Sequence, residues 1–218
     1  MASSGLFLFI HSWFFSQIGS RMSATPIILA SASQRRRDLL EQLGLFVTTL
    51  DTDINESQLR AETAEAYAVR MAREKMIVAR NLCDTEPAIL ITADTIVVCD
   101  NRVIHKPRTK EDALDALLCL SNREHSVFSA VMITDGGKTE EVLVESKVTF
   151  RVISVNDAVA YWRSGEAIGK AGGYAIQGKG AIFISNITGS YSGVMGLPLY
   201  ETALMLKKFD IDCMTDMK

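Results

Sequence analysis

An α/β fold with a mixed sheet is predicted by three features of the sequence. From Pro26 onward, apolar runs of strand length alternate with segments of helical spacing. That alternation is interrupted by Asp135-Gly136-Gly137, a hairpin signal between two alternating runs. No internal repeat, low-complexity tract or Pro/Gly/Ser linker divides the chain. Strand–helix alternation implies parallel pairing, and a hairpin adds antiparallel neighbours to it.

Element by element, Ile27–Ser31 reads as a short buried strand. Ser33 stands at the N-cap of a helix whose apolar residues are Leu39, Leu40 and Leu43, with Gly44 as its stop. Phe46–Leu50 is a second strand, followed by an acidic stretch from Asp51 to Glu62. Thr63 to Cys83 is a long helix, with Tyr67, Met71, Ile77 and Val78 among its apolar positions. Ala88–Asp100 is strongly β, and Asp100-Asn101 turns it into a short strand at Val103-Ile104. Thr109 and Asp112 form a capping box with Asp in place of Glu, opening a helix to Leu120. Ser126–Thr134 and Glu141–Val152 make the hairpin. Ser154 caps a short helix to Arg163. The Gly-rich region from Gly165 to Gly196 is expected to hold one strand, Ala181–Ser185, and Pro198 opens a last helix to about Phe209.

The 218 residues, 48% apolar and 22% charged, allow one or two domains with a real core. Disordered, collagen-like and disulfide-scaffold classes are excluded. A net charge of −3 argues against a general nucleic-acid binder, although a local basic pocket fits it. Five of the sixteen aromatics lie in the first fifteen residues, where Leu6 to Ile18 carries no charge. That run is too short to span a membrane and lacks the cationic start of a secretory signal. Residues 1–21 are therefore expected to be an extension outside the fold, with 22–218 as one domain and Met22 as a start. Cys83, Cys99, Cys119 and Cys213 are dispersed and form no zinc motif with the three histidines, which suits reduced thiols in the cytoplasm.

Four clusters carry chemistry. In Ser31-Ala32-Ser33-Gln34-Arg35-Arg36-Arg37, hydroxyls and guanidinium forks meet a helix N-terminus, an arrangement that grips phosphate. Asp51-Thr52-Asp53-Ile54-Asn55-Glu56 places carboxylates after a strand, where they suit a hard cation such as Mg²⁺ or a solvated loop. Its Asp-x-Asp also resembles the nucleophile loop of haloacid dehalogenase-type phosphatases. However, Asn55 stands where Thr or Val is wanted, and their late paired acids are missing. Asp94, in Ala93-Asp94-Thr95 between Ile91 and Ile96, is costly to bury unless paired or cation-bound. It is a metal ligand, a catalytic base or a solvent-facing group at a bulge. Lys106, in His105-Lys106-Pro107, is a loop lysine able to meet a phosphate. The fourth cluster, Gly169 to Gly180, lacks the Walker A order, and its glycines permit close backbone approach to a ligand. Within it, Gln177 either bonds a base edge or caps a turn. Lys75 lies among Arg70, Arg73 and Arg80, and the pattern alone reads those charges as a solvated face.

Together and in this order, the clusters resemble the Maf family of nucleoside triphosphate pyrophosphatases. The matching stretches are Leu29–Arg36, Ala93-Asp94-Thr95, Lys106-Pro107, Lys170–Gly178, Gly189-Ser190-Tyr191 and Val194–Pro198. The resemblance covers about Pro26 to Ile211. It implies an elongated mixed sheet with flanking helices, related to the inosine triphosphatases, with two lobes around a central nucleotide cleft. It also implies hydrolysis of a triphosphate to monophosphate and pyrophosphate with a divalent cation, Mg²⁺ or Mn²⁺, and pairing into a homodimer. Asp94 falls on the family's catalytic acid. Arg35, Thr95 and Gln177 fall on the positions that separate substrate subgroups, and these three residues look like the dTTP/UTP type. Glu56 and Asp94 are then the implied metal ligands, with Asp53 an alternative to Glu56. Ser33, Arg35, Arg36, Lys75 and Lys106 are the implied triphosphate ligands. The chain departs from the pattern at Gln34, His105 and Gly193, where Pro, Gly and Asn are usual. A second reading in another class is a nucleotide-binding regulator of cell division or septum formation whose hydrolysis is incidental. No membrane or nucleic-acid partner is expected.

Overall fold

The structure, a computed structural model, describes residues 25–83 and 87–215. The expectations for residues 1–21 and for Met22 lie outside the described residues. A seven-stranded mixed sheet forms the centre, in the order β2-β1-β3-β5-β6-β7, with β4 paired to β3. β1 (Ile27–Leu29) lies parallel to β2 (Val47–Thr49) and to the start of β3 (Ile89–Cys99). β4 (Arg102–Ile104), β5 (Glu124–Thr134), β6 (Thr139–Phe150) and β7 (Ile184–Thr188) all pair antiparallel. The helices are α1 (Gln34–Gln42), α2 (Ala64–Leu82), α3 (Lys110–Leu120), α4 (Val155–Arg163), α5 (Tyr191–Met195) and α6 (Leu199–Lys207).

The local signals explain most boundaries. Thr109/Asp112 and Ser154/Asp157 each form a reciprocal capping box. Gly44, at φ +78°, ends α1 in the left-handed conformation that suits glycine. Asp135 Oδ1 accepts the backbone N–H groups of Gly137 and Lys138 and shapes the β5–β6 turn. One expected strand is displaced. Residues 181–183 belong to a 3₁₀ segment, Lys179–Phe183, and β7 begins only at Ile184. The Ala181 N–H bonds back to the Gly178 carbonyl, which coils the chain before it can join β6. The short helix α5 also lies in the region read as glycine-rich loop.

β3 is buried on both faces, and its alternation divides the core. Its even residues Leu90, Ile96 and Val98 pack with Phe128, Ala130 and Met132 of β5 against α2. On the odd face, Ile89, Ile91 and Ala93 join one apolar cluster with α1 and α6. Val97 and Cys99 join another with α3 and α4. Thr95 falls between these two clusters. Its hydroxyl meets Ser129 Oγ at 2.9 Å, and Ser129 donates to the Gly193 carbonyl at 2.7 Å. A polar seam therefore separates two lobes on one side of a continuous sheet.

The edge of β3 that faces β1 is also divided. β1 pairs with residues 89–91 and β4 with residues 97–99. Residues 92–96 have no strand partner on that side among the described residues. This gap lets side chains from both faces of β3 reach one cavity.

His125 lies in the second lobe, 3% exposed, with Nε2 2.9 Å from the Tyr174 hydroxyl. Burial pushes its imidazole down to about 4. The folded state then binds fewer protons than the unfolded chain between this value and the ordinary one near 6.5. Stability is complete above the ordinary value and is lost as pH falls toward 4, by on the order of 3 kcal/mol from this group. His125→Gln should flatten the fall in Tm across that interval. An unchanged slope would show that other groups govern acid unfolding.

Candidate active site

A cavity of about 430 Å³ opens at the gap in β3. Ser33, Arg35, Arg36, Glu56, Lys75, Asp94, Thr95, Lys106 and Gln177 all line it. The loops after the parallel strands β1 and β2 supply Ser33 and Glu56. Carboxyl ends of parallel strands are where open α/β sheets commonly place ligands.

Asp94 stays in unbroken register opposite Ala130. Burial without a bulge demands a partner, and Lys75 supplies it: Nζ lies 2.6 Å from Asp94 Oδ1, with both side chains about one-tenth exposed. Lys75 Nζ also donates to Glu56 Oε1 at 3.0 Å, and Lys106 Nζ donates to Glu56 Oε2 at 2.8 Å. Asp94, Lys75, Glu56 and Lys106 thus form a chain of alternating charge. Burial alone would raise the Glu56 carboxyl. The hydrogen bonds and charges of Lys106 and Lys75 outweigh that and hold it at about 2.

Lys75 does not belong to a solvated face. It lies on the buried stripe of α2 with Ala68, Met71, Ala72, Met76 and Ala79. Arg70 instead pairs with Glu62 and Glu74, and Arg73 with Glu141. The stripe spacing is the signal that could have singled out Lys75 from sequence, because a lysine on an apolar stripe needs a buried anion.

Ser33 occupies the N-cap of α1, but its side chain makes no capping bond. Its hydroxyl is left available beside the helix N-terminus. Arg36 is buried and ties three elements together: Nε donates to the Gly196 carbonyl at 2.9 Å, Nη1 to Ser31 Oγ at 3.2 Å and Nη2 to Thr95 Oγ1 at 3.2 Å. Three of its five N–H groups are committed this way, so two remain for a ligand. Burial lowers its basicity, while Asp94 and Glu56 raise it. Arg35 is half-buried, and its Nε has no hydrogen-bond partner among the described residues. Gln177 lines the cavity together with Tyr174, Ala175 and Ile176.

Five cations (Arg35, Arg36, Lys75, Lys106 and Lys170) line the cavity against three carboxylates (Asp51, Glu56 and Asp94). This local excess of positive charge in an acidic protein suits a polyanion. Asp53 lines a neighbouring cleft that shares Glu56, Asp94, Thr95 and Lys106 with this one. No group of three or more His, Cys, Asp or Glu arranged to hold a metal occurs among the described residues. Glu56 and Asp94 are nevertheless hard oxygen donors converging on one cation, the Lys75 ammonium. Mg²⁺ commonly takes one or two carboxylates and completes its shell with water and phosphate oxygens, so the donor set fits such an ion. No helix among the described residues is long and apolar enough to cross a membrane.

The family model for Maf-like proteins matches residues 26–209. A dTTP/UTP pyrophosphatase of Saccharophagus degradans is 43% identical over 191 residues, covering 87% of this chain and 91% of that protein. A dTTP/UTP pyrophosphatase of Vibrio cholerae is 43% identical over 188 residues, covering 86% of this chain and all of that one. A third, from Acinetobacter baylyi, is 44% identical over 181 residues, covering 83% and 97%.

Proposed function

The chain belongs to the Maf-like protein family, and from that premise we propose that it hydrolyses dTTP and UTP to the nucleoside monophosphate and pyrophosphate. The observation that carries this reading is Asp94: a buried acid at the gap in β3, in a cavity with a surplus of cations. The names of the relatives supply the substrates.

In the proposed reaction, water attacks the α-phosphorus and the bridging oxygen to the β-phosphorus leaves with pyrophosphate. Asp94 commits Oδ1 to Lys75. Its other oxygen is left to orient the water and accept its proton. Ser33, the two remaining N–H groups of Arg36, and Arg35 hold phosphate oxygens. Lys75 and Lys106 stabilise charge that develops on the leaving group. A divalent cation, Mg²⁺ or Mn²⁺, held by Glu56 and Asp94 would neutralise phosphate charge. Gln177, Thr95 and Arg35 select the base. Assembly as a homodimer in the cytoplasm belongs to the same proposal and rests on the resemblance.

Pyrophosphate release from a panel of nucleotides, with and without Mg²⁺, tests the reading directly. dTTP and UTP are expected to lead. Binding with negligible turnover would favour the regulator instead, a reading the acid beside the phosphate ligands does not favour. Gln177→Glu replaces a donor–acceptor pair with two acceptors, so the order of preferred bases should change more than kcat on the best one. An unchanged order would make Gln177 structural.

A further inference from the structure

The glycine-rich segment that presents Gln177 is held by a carboxylate from its own lobe. Glu166 Oε1 accepts the Lys179 N–H at 2.8 Å, and Oε2 accepts the Gly180 N–H at 3.3 Å. Oε2 also accepts the Tyr161 hydroxyl at 3.0 Å, and that hydroxyl accepts the Ala175 N–H at 3.0 Å. Residues 175–180 are thus gripped at both ends by two side chains, with Gln177 between them. Two glycines exist for this grip. A Cβ on Gly178 would come within 2.5 Å of the Glu166 carboxylate, and one on Gly180 within 2.6 Å of the Ala175 carbonyl. The close approach expected of these glycines is therefore to Glu166 for Gly178 and to Ala175 and the Tyr161 hydroxyl for Gly180, and the loop N–H groups of 179 and 180 are already taken. Tyr161 also lies within the field of Arg35.

We propose that Glu166 and Tyr161 are positioning residues for base selection, holding segment 175–180 so that Gln177 and its neighbours read one pyrimidine edge. This rests on the proposed function of the cavity. A Gln amide can turn either its oxygen or its nitrogen to a ligand. A segment free to shift would let it accept cytosine, whose edge reverses the donor and acceptor of uracil. A held segment leaves the mismatched groups unpaired and rejects the analogue.

The test uses Glu166→Gln and Tyr161→Phe in the full chain. A carboxamide offers one acceptor where the carboxylate offers two, and its NH₂ would face N–H donors. Both variants should retain kcat on UTP within about threefold, raise its KM, and lower the UTP:CTP ratio of kcat/KM by about tenfold. Amide exchange at Lys179 and Gly180 should quicken in Glu166→Gln. A fall in kcat with an unchanged ratio would overturn the proposal, as would an unchanged ratio in folded variants. If Glu166→Gln does not fold, Tyr161→Phe carries the comparison. Wild-type protein that fails to hydrolyse UTP refutes the proposed function, while amide exchange still reports on the grip.

Discussion

Asp94→Asn lowers kcat on dTTP by at least about 100-fold, the usual scale for losing a general base. The amide has the shape of the carboxylate and can still accept from Lys75, so the site keeps its geometry. It cannot take a proton from water. KM is not the diagnostic, because the change relieves repulsion of the triphosphate and also weakens the hold on the divalent cation. Steady-state kinetics with single-turnover rates separates these effects. Near-wild-type turnover would remove Asp94 from the mechanism. Glu56 cannot substitute: held at about 2 by its two lysines, it is a weak base at working pH.

The second large effect is on stability. Lys75→Met leaves Asp94 buried with no partner, and breaking a buried ion pair from one side costs roughly 3–5 kcal/mol. At this chain length each kcal/mol moves Tm by about 2–4 °C, so the loss should be plain in thermal or urea unfolding. Lys75→Met combined with Asp94→Leu removes both charges and should recover most of it. The bridge between Lys106 and Glu56 behaves differently. Both side chains are about half exposed, and solvent screening leaves such a pair little to contribute. Lys106→Met should therefore lower activity with little change in Tm. A Lys75→Met protein as stable as wild type would mean that the Asp94 pair is solvated in solution.

What was legible in the sequence follows the range of the interactions. Caps at Thr109 and Ser154 and the turn at Asp135 depend on neighbours within four residues, and the structure reproduces them. Asp94 was legible because a charge inside an apolar strand is anomalous wherever the strand pairs. Lys75 is hidden among Arg70, which is held by Glu62 and Glu74, and the exposed Arg73 and Arg80, and only its place on the helix stripe sets it apart. β7 starts later than its apolar pattern suggests because residues 179–183 coil into a 3₁₀ segment whose first N–H groups are held by Glu166, thirteen and fourteen residues away. The hydrogen bonds of Arg36 to Thr95 and Gly196 span 59 and 160 residues, a distance no local pattern reports. Ser33 is the reverse case: its position as N-cap was legible, but its side chain leaves the helix uncapped.

The gap along β3 has a wider meaning. An unpaired strand edge invites a foreign strand, and proteins usually blunt or cover it. Here the open stretch is five residues long and bounded at both ends by strands of the same sheet. A foreign strand would have to enter between β1 and β4 to pair with it. It is a window rather than an edge, and a small molecule is what fits through it. The strands β1 and β4 that frame the window shield it from a foreign strand, and the window itself opens on the cavity that holds Asp94 and Thr95, so one omission in the hydrogen-bond ladder is both protected by its neighbours and left open to a ligand.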